Sequence, residues 1–82
     1  MDGKIANRSE EITEEQWLEV NEFNRFIVND FLDNQTHLSN RSVNAYRSAL
    51  RIFFVWCKDN LQDKKCIDIK KKEFLRYINW LV

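Results

Sequence analysis

The stretch "LSNRSVNAYRSALRIFFVWC", residues 38–57, decides the fold and raises the question of function. It opens with Ser39, a residue type that caps helices, and then places an arginine or a large apolar side chain at almost every turn. A surface helix needs only one apolar stripe. This helix has apolar residues over more than one face, and its basic residues fall together on the remaining arc.

On a helical wheel the segment carries two apolar stripes. The first predicts a core face and consists of Val43, Tyr46, Leu50, Phe53, Phe54 and Cys57. The second lies roughly 120° away around the wheel and consists of Ala45, Ala49, Ile52 and Trp56. Because two neighbouring helices would cover both stripes only in part, the pattern predicts a further helix that this chain lacks.

Two more helices flank this segment. The letters "TEEQ" at 13–16 form a capping box, in which Thr13 caps a helix and Gln16 reaches back to it. We expect that helix to cover 14–34, because apolar residues recur at spacings of three and four. They are Trp17, Val20, Phe23, Ile27 and Phe31, with Phe26 and Leu32 widening the stripe.

Ser39 predicts the second helix from Asn40 to about Asn60, and a third helix should begin near Lys70 or Lys71. The apolar face of the third helix consists of Phe74, Tyr77, Ile78 and Leu81. The sequence therefore predicts an all-α fold, a small helical bundle with three helices of an expected four. We expect a flexible segment at 1–12 and one domain at 13–82, truncated at its C-terminal side because "INWLV" ends in mid-pattern.

The composition agrees with one small helical domain. The 82 residues include no proline and one glycine, and the longest apolar run, 52–57, is far short of a membrane span. With no signal peptide either, we expect a cytoplasmic protein. The net charge of zero hides a division, since 1–33 holds nine acids and three bases, whereas 34–82 holds ten bases and four acids. Such asymmetry favours a polyanionic partner, or else two oppositely charged faces that attract each other.

The sequence predicts no catalytic residue, no metal site and no cofactor. Cys57 and Cys66 are nine residues apart, outside any zinc or redox spacing, and are interpreted as reduced structural thiols. Tyr46 and Tyr77 lie on apolar stripes, where packing is the simpler role. His37 stands in a connector without companions for general-base chemistry or metal binding.

The polar arc of the second helix is the candidate binding surface. It holds Asn44, Arg47, Ser48, Arg51 and Lys58, with Arg41 at its edge, and no acid interrupts it before Asp59. Arginines beside Asn and Ser suit phosphates and base edges, although a plain solvated face is the competing interpretation. Lys70, Lys71 and Lys72 at the start of the third helix oppose its dipole, a cost that a bound phosphate would offset; ordinary surface lysines are the alternative interpretation. We therefore add Lys71 and Lys72 to the predicted DNA-binding set.

With these helices in place, the chain resembles the core-binding (SAM-like) domain of tyrosine recombinases, the phage integrase and Xer-type family. The resemblance covers about residues 23–82 and spans three helices. Its matching residues are Phe31-Leu32, Leu38-Ser39, Ser42-Val43, Tyr46, Leu50, Phe53 or Phe54, Trp56, Ile69, Phe74, Tyr77 and Ile78.

The resemblance implies a four-helix bundle that clamps duplex DNA at a recombination core site together with a downstream catalytic domain and other protomers. Its second and fourth helices would lie against the major groove, with Arg41, Asn44, Arg47, Ser48 and Arg51 facing DNA. The fourth helix and the catalytic groups are absent here, so the chain itself is predicted not to be an enzyme, although the full-length recombinase would cleave and rejoin DNA. The alternative is a helical protein–protein interaction module whose second apolar stripe docks a partner.

Overall fold

The computed structural model describes residues 12–82, and these residues form four α-helices and no strand. The helices are α1 (Glu14–Leu18), α2 (Glu22–Asp33), α3 (Asn40–Asn60) and α4 (Lys71–Leu81), with a short 3₁₀ turn at Cys66–Asp68 before α4. The predicted all-α class is confirmed. Apart from Ile12, which packs partly buried against the core, the segment expected to be flexible lies outside the described residues.

The first predicted helix is in fact two helices. Thr13 caps α1 as predicted, since its hydroxyl accepts from the Gln16 N–H at 3.1 Å while the Gln16 side chain accepts from the Thr13 N–H at 2.9 Å. The prediction of one helix over 14–34 is wrong, because Asn21 is extended and caps α2 through a 2.8 Å bond from the Asn24 N–H. Asn21 also donates from its side chain to the carbonyl of Asp63 at 2.8 Å. A residue 42 positions away thus stabilises the break.

The break changes which face of α2 is buried. The buried positions are Asn24, Val28 and Leu32, one step along from the predicted Phe23, Ile27 and Phe31. Phe26 is 63% exposed. The apolar side chains of α2 therefore divide between the core and an outward-facing surface.

Helix α3 is the central element, and its bounds agree with the prediction. The Ser39 hydroxyl caps it by accepting from the Ser42 N–H at 3.2 Å. On one side Phe54 and Val55 pack in a first core cluster with residues of α1, α2 and the turn between them, namely Trp17, Val20, Val28 and Leu32. On the other side Trp56 and Cys57 pack in a second core cluster with Leu61 and Tyr77.

Two predictions about the stripes of α3 need correction. The stripe with Ile52 and Trp56 was expected to be covered only in part. Trp56 is nevertheless buried in the second core cluster, where it contacts the rings of Tyr77 and Trp80, and Ile52 packs against this cluster. Ala45 and Ala49 are exposed, so only their end of the second stripe stays uncovered. Tyr46, placed on the core stripe by its spacing, is 48% exposed because the core contacts of α3 concentrate in its later turns.

Hydrogen bonds hold the connector after α3 in a conformation that usually requires glycine. Gln62 and Asp63 have φ values of 57° and 56°, a left-handed conformation that costs roughly 1–2 kcal/mol per residue. The N–H groups of Leu61 and Asp63 both donate to the carbonyl of Cys57, which closes the helix end. Asn24 is fully buried, donates to the carbonyl of Lys64 at 3.0 Å and accepts from the N–H of Cys66 at 2.8 Å. These bonds hold the connector on α2 and so position α4.

Candidate nucleic-acid interface

Helix α3 presents its amino-terminal half as an open polar surface. Ser39 starts the helix without an acidic residue in the first turn, so the positive end of the helix dipole is not neutralised. We define the open segment as Arg41, Asn44, Arg47 and Ser48. Arg41 and Asn44 are exposed, Arg47 and Ser48 are half-buried, and the four recur at three- and four-residue spacings along one side of α3.

The open segment is partly preorganised. The Nη1 atom of Arg47 donates to Oδ1 of Asn44 at 2.6 Å, which restrains both side chains on the surface. Neither Arg41 nor Arg47 forms an ion pair with any acid among residues 12–82. No acid in this part of the chain therefore neutralises their positive charges.

The other half of the predicted surface is engaged within the molecule, and we call Arg51 and Lys58 the paired segment. Arg51 contacts Oε1 of Glu14 at 3.2 Å, and its guanidinium lies 5.0 Å from the ring centre of Trp17. The Arg51 side chain is consequently only 20% exposed. It fastens α1 to α3.

Lys58 is also paired. Its Nζ atom lies 2.8 Å from Oδ1 of Asp59 and 3.2 Å from Oε1 of Glu19. Hydrogen bonds to these two carboxylates, first Asp59 and then Glu19, raise the pKa of Lys58 above its ordinary value. The structure therefore divides the predicted arc into an open and a paired half.

The lysines at the start of α4 are arranged differently from the α3 surface. Lys71 and Lys72 are exposed and, within residues 12–82, form no ion pair with any acid. Glu73 relieves their conflict with the helix dipole, because one carboxylate oxygen accepts from the Lys70 N–H at 2.9 Å and the other contacts Nζ of Lys64 at 2.6 Å. The Lys64 ammonium, followed by the Lys70 N–H, lowers the pKa of Glu73.

Tyr77 and Cys57 lie in surroundings that disfavour their ionised forms. Tyr77 is buried among aromatic rings, with the Phe53 ring centre at 4.7 Å, and burial raises its pKa. Burial, followed by nearby carboxylates, raises the pKa of Cys57 to about 12. A raised pKa disfavours the ionised form that acts as a nucleophile. His37 is exposed in the connector before α3, and no group of three potential metal ligands occurs among residues 12–82.

Sequence reasoning missed two features. One is the polar fastening by Asn21 and Asn24, for which the sequence offers only the weak signal of asparagines inside an apolar pattern. The other is an apolar groove of about 330 Å³ between α2, α3 and the 3₁₀ turn. Its lining residues are Ile27, Val28, Phe31, Leu50, Phe54 and Cys66. The outward shift of Ile27 and Phe31 creates this groove.

The fold and this surface define a small all-helical domain with an open basic segment on its central helix. Each helix within residues 12–82 is too short or too polar to span a lipid bilayer. The chain is similar to the SPbeta prophage-derived recombinase-like protein YomM of Bacillus subtilis strain 168, with 38% identity over 71 residues. The aligned region is 87% of this chain and 21% of that protein, so the chain spans about a fifth of the length of this curated relative.

No family model matches the chain. No solved structure matches it either. The likeness to YomM supports a relation to recombinase-like proteins, and it agrees at that level with the resemblance inferred from the sequence.

Proposed function

We propose that this chain is the DNA-binding, core-binding domain of a site-specific recombinase of the tyrosine recombinase family. It holds duplex DNA at a recombination core site for a catalytic domain elsewhere in the full-length protein, and it acts beside other protomers on DNA. The observation that carries the proposal is the open segment of α3, in which Asn44 is flanked by two arginines that form no ion pair with an acid of residues 12–82. The likeness to a recombinase-like protein supports the same function.

The dimensions and chemistry of the open segment suit a major groove. An α-helix with its side chains is about 10–12 Å wide, and the major groove of B-DNA is about 12 Å wide. Arginine and asparagine are the side chains that recognise guanine and adenine by paired hydrogen bonds. Because Arg47 already bonds to Asn44 at 2.6 Å, the two side chains need little further ordering to contact neighbouring bases or phosphates.

Fluorescence anisotropy with a labelled mixed-sequence DNA duplex tests the proposal. Each phosphate contact contributes about 0.9 to the slope of log affinity against log salt. Arg47→Gln should therefore weaken binding and make the slope shallower. Arg76→Gln is the matched control, since Arg76 carries the same charge on α4, outside the predicted surface. Equal effects of the two variants, or binding that does not depend on salt, would contradict the proposal.

A protein–protein interaction module is the second candidate, and the apolar groove favours it. Phe31 lines this groove and is 45% exposed, although it is large and apolar. Under this alternative, Phe31→Ser abolishes association with a protein partner and leaves duplex affinity unaltered. Phe74→Ser is the control, because Phe74 is similarly exposed on α4. Loss of duplex binding in Arg47→Gln would favour the first proposal over this one.

A further inference from the structure

The two halves of the α3 surface differ in the acids beside them. Arg51 contacts Glu14 of α1, and Lys58 contacts both Glu19, the residue that follows α1, and Asp59 of α3 itself. We propose that Glu14 and Glu19 compete with duplex phosphates for Arg51 and Lys58, so that α1 restricts the DNA contact of α3 to its open segment. This inference rests on the proposed function. It assigns to the acidic helix a role in limiting the extent and strength of DNA binding.

The geometry makes each glutamate a substitute for a phosphate oxygen. The carboxylate oxygens of Glu14 and Glu19 lie 3.2 Å from the nitrogens of Arg51 and Lys58, the separation of a charged contact. A second anion cannot occupy the same place at the same time. Phosphate contacts by Arg51 and Lys58 therefore require the glutamates to leave.

The glutamates can leave without movement of α1. Their side chains are 68% and 65% exposed, whereas those of Arg51 and Lys58 are 20% and 23% exposed, so the acids approach from the solvent side. Exposed ion pairs of this kind are weak and are screened by salt. The helix itself is anchored by Trp17, which is buried in the first core cluster. Rotation of a glutamate side chain is thus sufficient to uncover the cation.

The ion pairs Glu14–Arg51 and Glu19–Lys58 should restrict DNA binding to different degrees. When Glu14 is removed, the Trp17 ring is the contact that Arg51 keeps among residues 12–82, and it holds the guanidinium in place without neutralising its charge. When Glu19 is removed, Lys58 keeps Asp59 at 2.8 Å. Glu14 is therefore the stronger competitor, and its substitution gives the clearer test.

The experiment compares Glu14→Gln with Glu15→Gln in the 82-residue chain. Both changes remove one negative charge from α1, but Glu15 forms no ion pair among residues 12–82. Anisotropy of a fluorescein-labelled mixed-sequence duplex is measured between roughly 50 and 200 mM salt. We expect Glu14→Gln to steepen the slope of log affinity against log salt by about 0.9, which is about 3.5-fold in affinity over that range. Glu15→Gln should leave the slope at its wild-type value.

Two further variants separate competition from a change in folding. Glu14→Asp keeps the charge but shortens the reach of the carboxylate, so it should steepen the slope in the same direction as Glu14→Gln. Arg51→Gln in the Glu14→Gln background should abolish the gain, because Arg51 is the cation that is released. Circular dichroism of each variant checks that the helical content is retained.

The outcomes distinguish this inference from the proposed function. If the wild-type chain binds the duplex and Glu14→Gln matches Glu15→Gln in affinity and slope, the competition is refuted while the proposed function stands. If neither the wild type nor any variant binds the duplex, both are refuted. A gain in Glu14→Gln that Arg51→Gln reverses supports the competition.

Discussion

Asn24→Ala should be among the most destabilising single substitutions in this domain. Asn24 is 0% exposed, yet it is polar and lies between Val20 and Val28 in the buried pattern. Its side chain makes two bonds to the connector after α3, to the carbonyl of Lys64 at 3.0 Å and from the N–H of Cys66 at 2.8 Å. Substitution by alanine leaves the Lys64 carbonyl and the Cys66 N–H without their hydrogen-bond partner.

The expected cost follows from the two backbone groups left behind. A buried donor or acceptor without a partner costs about 1–3 kcal/mol. Two such groups, with some access of water to the loosened connector, give about 2–4 kcal/mol. A domain of this length has roughly 4–12 kcal/mol of total stability. At 4–8 °C per kcal/mol, a loss of about 3 kcal/mol lowers the melting temperature by roughly 12–24 °C.

Urea denaturation followed by tryptophan fluorescence measures this cost, because Trp17 and Trp56 are buried in the two core clusters. Asn34→Ala is the control, since the Asn34 side chain also donates to a backbone carbonyl, that of Asp30 at 2.7 Å, but at an exposed position where water can replace it. We expect the control to lose less than about 1 kcal/mol. Equal losses in the two variants would refute the fastening role of Asn24.

Three further outcomes are expected. Arg51→Ala should lower the free energy of unfolding by about 1–2 kcal/mol, because it removes an ion pair and a cation–π contact. Arg47→Ala is the control and should lower it by less than about 0.5 kcal/mol in the same urea experiment. Iodoacetamide should modify Cys66 in the folded chain well before Cys57, whose burial raises its pKa to about 12. Equal rates of modification of the two thiols, measured by mass spectrometry, would contradict this. The chain should form no covalent adduct with a suicide DNA substrate, and an adduct that Tyr46→Phe or Tyr77→Phe abolishes would contradict this.

The sequence predicted the parts of the fold that depend on local signals. Helix α3 begins and ends where Ser39 and the apolar pattern indicate, and α4 begins at one of the two predicted residues. The break between α1 and α2 could not be predicted in this way. Asn21 can either continue the helix from α1 or adopt the extended conformation that caps α2. Its bonds to Asp63 favour the cap, and they form only when α3 and the connector after it have folded back. A contact over 42 positions leaves no periodic signal in the sequence.

That single break explains the other errors in α2. A helix restarted at Glu22 buries Asn24, Val28 and Leu32, so Ile27 and Phe31 face the apolar groove instead of the core. The apolar residues predicted from the sequence do share one side of α2, but Ile27 and Phe31 among them are exposed. Helical periodicity identifies which residues share a face, whereas the packing of the neighbouring helices determines which face is buried.

The packing of neighbouring helices also determines which charged side chains are paired. The division into an acidic first part and a basic second part was compatible with a polyanionic partner or with mutual attraction, and the structure shows mutual attraction at part of the α3 surface. Glu14 of α1 pairs with Arg51, and Glu19 and Asp59 pair with Lys58, so acids of the same molecule satisfy these two bases of α3. At Arg41 and Arg47 no acid of residues 12–82 does so. A duplex would therefore meet far fewer available cations than the basic count of the sequence suggests, and the acids of α1, rather than the number of arginines, would determine how many phosphates the domain can hold.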